Sequence, residues 1–180
     1  AVEPHAPYTC SPDLLRQCQA VAREAGAPLI IHLAETAHEV RDMKERYGLS
    51  PVAHLDRLGL LDRDLLAAHV VHVADPEIDR LAVTGVRILC NPESNMKLAS
   101  GIPPLCEFLA RGLAVGLGTD GCASNNNLDM FQEMDSAAKA HKISSLDPTV
   151  ATARQVLEMA TLGAARALGF EAETGSLEVG

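Results

Sequence analysis

Two apolar, strand-like runs constrain this chain more than anything else in it: Pro28-Leu-Ile-Ile-His32-Leu-Ala-Glu35 and Leu113-Ala-Val-Gly-Leu-Gly-Thr-Asp120-Gly121. Each ends in side chains able to bind a metal or move a proton. His32 and Asp120 lie 88 residues apart, so no local motif joins them. They meet only if both strands share one sheet with their C-terminal ends at the same mouth, which is the site geometry of a parallel α/β barrel. Two such ligands fall short of a catalytic zinc site, which usually takes three protein ligands and a water.

Elsewhere strand-like and helical runs alternate, the signature of βαβ units and a parallel sheet. A short strand is expected to end at His5. Ser11-Pro12 supplies an N-cap and a proline at the first helical position, for a helix running to about Ala25 with Gly26 as its stop. Pro28 to Leu33 is a continuous apolar run, which predicts a strand buried on both faces. Thr36 and Glu39 form a capping-box pattern for a helix to about Tyr47, and Ser50-Pro51 opens a short one ending near Gly59. Leu65–His72, Val86–Cys90 and Ala114–Gly118 complete a set of about five strands. Helices are expected from Asp75-Pro76 to Thr84, over Pro103–Arg111, Leu128–Ile143 and Thr152–Leu168. A chain of 180 residues can bury a real core, but it is short of the roughly 250 residues of a complete eight-stranded barrel. An open doubly wound sheet is the alternative, yet that fold usually places its Gly-rich phosphate turn early, and neither an early G-x-G-x-x-G nor a P-loop is present. Both ends read as cut, so the chain is expected to be a piece of a longer protein.

A net charge of −9 without a basic cluster argues against nucleic acid and against an anionic membrane surface. Aromatics at 3%, with no Trp, leave no base-stacking platform. No run of about 18 or more apolar residues is present. Five cysteines without C-x-x-C spacing read as reduced thiols in a cytoplasmic protein.

Residues three apart on a regular strand face opposite sides, so His32 and Glu35 share a mouth only if the strand breaks after Leu33. His32 then offers a neutral nitrogen to a metal, and Glu35 can carry a proton from water to a leaving group. The plainer reading is a strand-end histidine bonded to backbone, with Glu35 favouring the next helix N-terminus. In Ala68-His69-Val-Val-His72 at most one histidine points inward unless the strand ends between them. His69 is favoured, with His72 under the helices or in the loop. Asp120 can bind a metal, activate water or simply cap an Asp-Gly turn. His5, near Pro4 and Pro7, is ambiguous in the same way. Asn91-Pro-Glu-Ser-Asn95 and Ser124-Asn-Asn-Asn127 can line a pocket but read first as connecting loops. His5, His32, His69 and Asp120 nonetheless all stand at or near the C-terminal ends of expected strands.

These residues, with Pro4-His-Ala-Pro-Tyr-Thr-Cys-Ser11, Ile31-His-Leu-Ala-Glu-Thr36, Asn91-Pro-Glu-Ser-Asn-Met-Lys-Leu98, Gly101-Ile-Pro-Pro104 and Leu117-Gly-Thr-Asp-Gly-Cys-Ala-Ser-Asn-Asn126, give the chain its likeness. It resembles the amidohydrolase superfamily, and within it the 5-methylthioadenosine/S-adenosylhomocysteine deaminases and their chlorohydrolase-like relatives. The resemblance implies a partial (β/α)8 TIM barrel, from the end of strand 4 through strand 8, over residues 1–170. Residues 171–180 would begin the return into a small β-sandwich. It implies one zinc, or another divalent ion such as Fe2+ or Mn2+, held by His32 and Asp120. Glu35 would be the proton shuttle. His69 would bond the attacking hydroxide or the substrate, and His5 would contact the substrate at its ribose end.

The implied reaction is hydrolytic deamination of an adenine nucleoside. Guanine or 8-oxoguanine deamination and s-triazine hydrolysis are the alternatives within the superfamily, and a non-catalytic truncated fragment is a second one. The expected partner is a small molecule, with a homo-oligomer left open. The superfamily's strand-1 H-x-H ligand pair is absent, as are the upstream substrate-binding Glu and Arg. The chain alone is therefore expected to be short of metal ligands and inactive.

Overall fold

The structure, a computed structural model, describes residues 1–179. Four parallel strands form one sheet in chain order: β1 (Leu29–Leu33), β2 (Leu65–His69), β3 (Arg87–Cys90) and β4 (Val115–Leu117). Parallel neighbours need crossover connections. These are α2 (Ala37–Tyr47) with α3 (Pro51–Arg57), then α4 (Asp75–Thr84), then α5 (Pro92–Lys97) with α6 (Leu105–Ala110). α1 (Pro12–Glu24) precedes β1, while α7 (Cys122–Asn125), α8 (Met130–Ser145), α9 (Ala153–Ala160) and α10 (Leu162–Leu168) follow β4. The register sets Leu33 beside His69 and Cys90 beside Leu117, so the strands end at one edge. Among the described residues no strand pairs with the outer edge of β4, and the architecture is a partial barrel.

The helices start where caps place them. Ser11, Thr36 and Ser50 each accept a backbone N–H from three residues on, satisfying donors that have no partner within the helix. α4 starts at Asp75 as expected, with Ala74 as the N-cap, and Glu77 accepts the Ala74 amide at 2.8 Å. Leu15, Ile31, Leu33, Leu55, Ile88 and Phe108 are all fully buried between sheet and helices. Each such side chain contributes about 1.5–3 kcal/mol on leaving water. β1, expected to be buried on both faces, instead alternates, with Ile30 and His32 half-buried on the face away from the helices; β2 is the strand buried on both faces.

Several expected boundaries move for identifiable reasons. The strand expected to end at His5 is reduced to a bridge between Val2 and Leu29. Val2 donates to Pro28 O and accepts from Ile30 N, and the next donor in that alternation would be residue 4, a proline with no N–H. β2 stops at His69, not His72, because His69 and Val70 have positive φ (71° and 48°). The single helix expected over Thr152–Leu168 is two, broken at Thr161. There Gly163 lies so close to β4 that a Cβ would sit 3.0 Å from Val115 O. The segments Asn91–Asn95 and Ser124–Asn127, expected as connecting loops, instead overlap the short helices α5 and α7. Residues 171–179, expected to begin the return into a β-sandwich, form no strand; Gly180 lies outside the described residues. All five cysteines are free, and burial pushes the Cys90 thiol up to about 12. No helix among the described residues is long and apolar enough to cross a membrane.

Candidate metal centre

At the β1 end the chain leaves the sheet through Ala34, whose φ of 50° is left-handed. L-residues avoid this region unless the surroundings hold them there. Here the Ala34 carbonyl accepts the amides of Val71 and His72 at 3.1 and 2.9 Å, and its own N–H donates to Glu39 Oε1 at 2.9 Å. Because of this bend, His32 and Glu35 reach one mouth although they stand three positions apart. His32 Nδ1 lies 2.9 Å from His69 Nε2, and Glu35 Oε2 lies 4.0 Å from that same nitrogen. The Ser100 hydroxyl donates to Glu35 Oε1 at 3.1 Å.

His69 reaches the site by a second backbone departure. Register places it beside Leu33, on the face that packs against the helices, and regular pleating would leave it there. Its positive φ ends the pleat, and the imidazole meets His32 instead. The ring is fully buried, and its Nδ1 is bonded to Asn95 Oδ1 at 2.7 Å. A carbonyl oxygen only accepts, so Nδ1 carries the proton. In neutral His69 the lone pair is then on Nε2, the atom facing His32, Glu35 and Asp120.

Asp120 follows β4 with a φ of 59°. Its Oδ2 accepts the hydroxyls of Ser94 and Ser124 at 2.6 and 2.7 Å, and its Oδ1 accepts the Gly121 N–H at 2.8 Å. Burial alone would raise its pKa. These three donors and nearby His69 outweigh that, holding the carboxyl below its ordinary value and therefore ionised. His32 is lowered instead, first by burial and then by neighbouring His69, which keeps it neutral. A neutral imidazole and an ionised carboxylate are the protonation states a metal needs. Donor atoms of His32, His69 and Asp120 lie within 4.8 Å of one another, so the residues present fit a divalent cation.

His5 stands at the rim rather than in this cluster. Its ring centre is 5.3 Å from that of His32, it is exposed, and its Nδ1 is bonded to Thr9 Oγ1 at 2.7 Å. His72 turns away and donates to Ser100 O at 2.8 Å. Sequence reasoning did not single out Ser94, Asn95, Ser100 or Ser124 as contacts of the site. The signal available for Ser94, Asn95 and Ser124 was their place in the polar segments after β3 and β4, already read as able to line a pocket; Ser100, beyond α5, carried none. It also missed two buried glutamates, Glu39 and Glu133, which hold the turns after β1 and β4.

Curated relatives share this sequence closely. A 5-methylthioadenosine/S-adenosylhomocysteine deaminase of Syntrophobacter fumaroxidans is 56% identical over 180 residues, all of this chain and 41% of its own length. A 5'-deoxyadenosine deaminase of Methanosarcina mazei is 53% identical over 177 residues, 98% of this chain and 40% of its own. The chain thus spans about two fifths of these relatives. Among solved structures, an adenosine deaminase of Xanthomonas campestris with bound zinc superposes with a TM-score of 0.93 at 45% identity, covering 99% of this chain and 40% of that one. The family profile runs through the whole mouth and its supporting helices, matching residues 1–180, and the chain belongs to the amidohydrolase family.

Proposed function

We propose that the full-length protein carrying this chain is a metal-dependent hydrolytic deaminase of adenine nucleosides such as 5-methylthioadenosine or S-adenosylhomocysteine. One observation carries the reading. Side chains from three strand ends, His32 with Glu35, His69 and Asp120, converge at one mouth, with His32 held neutral and Asp120 ionised. The deaminase names of the relatives support the substrate class.

His32 and Asp120 would hold the metal, with zinc as the first choice, and the two ligands missing here would come from the remainder of the protein. When bound, the metal supplies a nucleophilic hydroxide near neutral pH. His69 Nε2, fixed by Asn95, orients the attacking oxygen toward C6 of the adenine ring. Glu35 takes the proton released from water and delivers it to the ring nitrogen as the new C–O bond forms. It then carries the proton of the new C6 hydroxyl to the amino group as the C–N bond breaks, leaving a C6 carbonyl. Water and nucleoside are consumed; ammonia and an inosine-type nucleoside leave. His5, at the rim, would meet the ribose end. Residues 1–170 would supply this half of the barrel, and residues 171–180 would lead toward a small β-sandwich.

The test is ultraviolet absorbance of the zinc-loaded full-length protein with methylthioadenosine, adenosylhomocysteine, guanine and an s-triazine. Loss of adenine absorbance with the first two is expected. No turnover of either, with turnover of guanine or the triazine, removes the adenine reading.

A further inference from the structure

Thr36 and Glu39 have capping-box spacing, but only half of that motif forms. Thr36 Oγ1 accepts the Glu39 amide at 3.1 Å, while the Glu39 carboxyl turns upstream, past the N-cap. Its Oε1 accepts the Ala34 N–H at 2.9 Å and its Oε2 accepts the Glu35 N–H at 2.8 Å. The side chain is 1% exposed, so water does not compete for either bond. The two gripped amides flank the left-handed bend that separates His32 from Glu35. On its other side the bend is held by the Val71 and His72 amides. A carboxyl suits this place because it has two acceptor oxygens for two neighbouring donors. A glutamine would turn an NH2 group on one of them.

We infer that Glu39 is the positioning residue for Glu35: its two oxygens lock the Ala34 bend and so set the Glu35 carboxyl over the His32–His69–Asp120 cluster. The inference rests on Glu35 being the proton carrier of the proposed deaminase. Glu39 itself makes no hydrogen bond to His32, His69 or Asp120.

The experiment is a double-mutant cycle in the zinc-loaded full-length protein, with Glu39→Gln, Glu35→Gln and both together. Glu39→Gln is expected to lower kcat about tenfold to a hundredfold, the range for residues that orient a reacting group. KM and zinc stoichiometry should stay within about twofold. In the Glu35→Gln background the same change should cost nothing further, because the group to be positioned has lost its function. Multiplying losses in the double variant, lost zinc or an unchanged kcat would each overturn the inference.

Hydrogen exchange gives a readout independent of turnover. The Ala34 and Glu35 amides should be protected in the wild type and exchange at least about tenfold faster in Glu39→Gln; equal protection overturns the clamp. A wild type that deaminates nothing defeats the proposed function, and the two amides still decide the clamp. If a thermal melt shows Glu39→Gln unfolded, Glu39→Asp goes through the same cycle. It keeps the charge but withdraws both oxygens by one methylene.

Discussion

The ends of β1 and β4 solve one problem in two ways. Each strand runs out of the sheet into a left-handed, non-glycine residue, Ala34 or Asp120. Each turn is held by a buried glutamate near the start of a following helix, Glu39 or Glu133. At β1 the glutamate grips the backbone directly, through the amides of Ala34 and Glu35. At β4 it works at one remove. Glu133 accepts the Glu93 amide at 3.1 Å and the side-chain amide of Asn125, which also donates to Thr119 O at 2.8 Å. The difference follows from what each end presents. β1 must present two side chains three residues apart, so its backbone path needs fixing. β4 presents one carboxylate, so the carboxylate's own oxygens are pinned by three donors.

Removing what each end presents should give the largest effects and the clearest contrast between them. Asp120→Ala takes away a metal ligand. The full-length protein should lose most of its zinc by elemental analysis and at least about a thousandfold in kcat/KM, equivalent to ~4 kcal/mol. Glu35→Gln should keep its zinc and lose about 10²–10⁴-fold in kcat, the range for a general acid–base group. Equal zinc loss in both variants would erase the distinction between a ligand end and a proton-carrying end.

The two buried glutamates differ in degree as well. Burial raises both, with Glu35 adding to the rise at Glu39, which is pushed up to about 7 against amides that pull it down. Between its ordinary value of 4.5 and about 7, the folded protein holds a proton that the unfolded chain has released. This contribution to stability is therefore complete at low pH and lost as pH rises through that window, by about 3 kcal/mol in all. In denaturant melts from about pH 5 to about pH 8, wild type should lose stability relative to Glu39→Gln, which does not titrate there, as pH rises. Parallel curves would show that Glu39 does not titrate in that window.

Much of the frame was legible in the residues. Ser11-Pro12, Thr36 and Ser50-Pro51 announce helices because capping chemistry is local, and the apolar runs announce strands. The turns at the mouth were not legible. Ala34, His69, Val70 and Asp120 take positive φ, and none is the glycine that signals such a turn, because long-range hydrogen bonds hold them there. The same gap hid how His69 arrives, since pleating alone sends it to the helix side. The Thr36–Glu39 spacing reads identically whether the glutamate closes a capping box or reaches two residues upstream. The split at Thr161 also depends on how closely Gly163 approaches β4, which no periodicity within the helix records.

The smallest of these effects probes the pinning of Asp120 most finely. Ser94 donates to Asp120 Oδ2 at 2.6 Å from the first turn of α5, across from β4, while Ser124 donates to the same oxygen from α7 at 2.7 Å. Ser94→Ala removes one hydroxyl and leaves the ligand in place. Loss of such a supporting bond typically costs about 10–100-fold in metal affinity. Competition against a chelator should therefore show weaker zinc binding at unchanged fold, with Ser124→Ala giving a similar deficit and the pair a larger one. Ser100→Ala, which removes the hydroxyl on Glu35 Oε1, should leave zinc affinity untouched and lower kcat alone. If Ser94→Ala binds zinc as tightly as wild type, the β4 carboxylate is positioned by its backbone, as at β1, and the two ends no longer differ in kind.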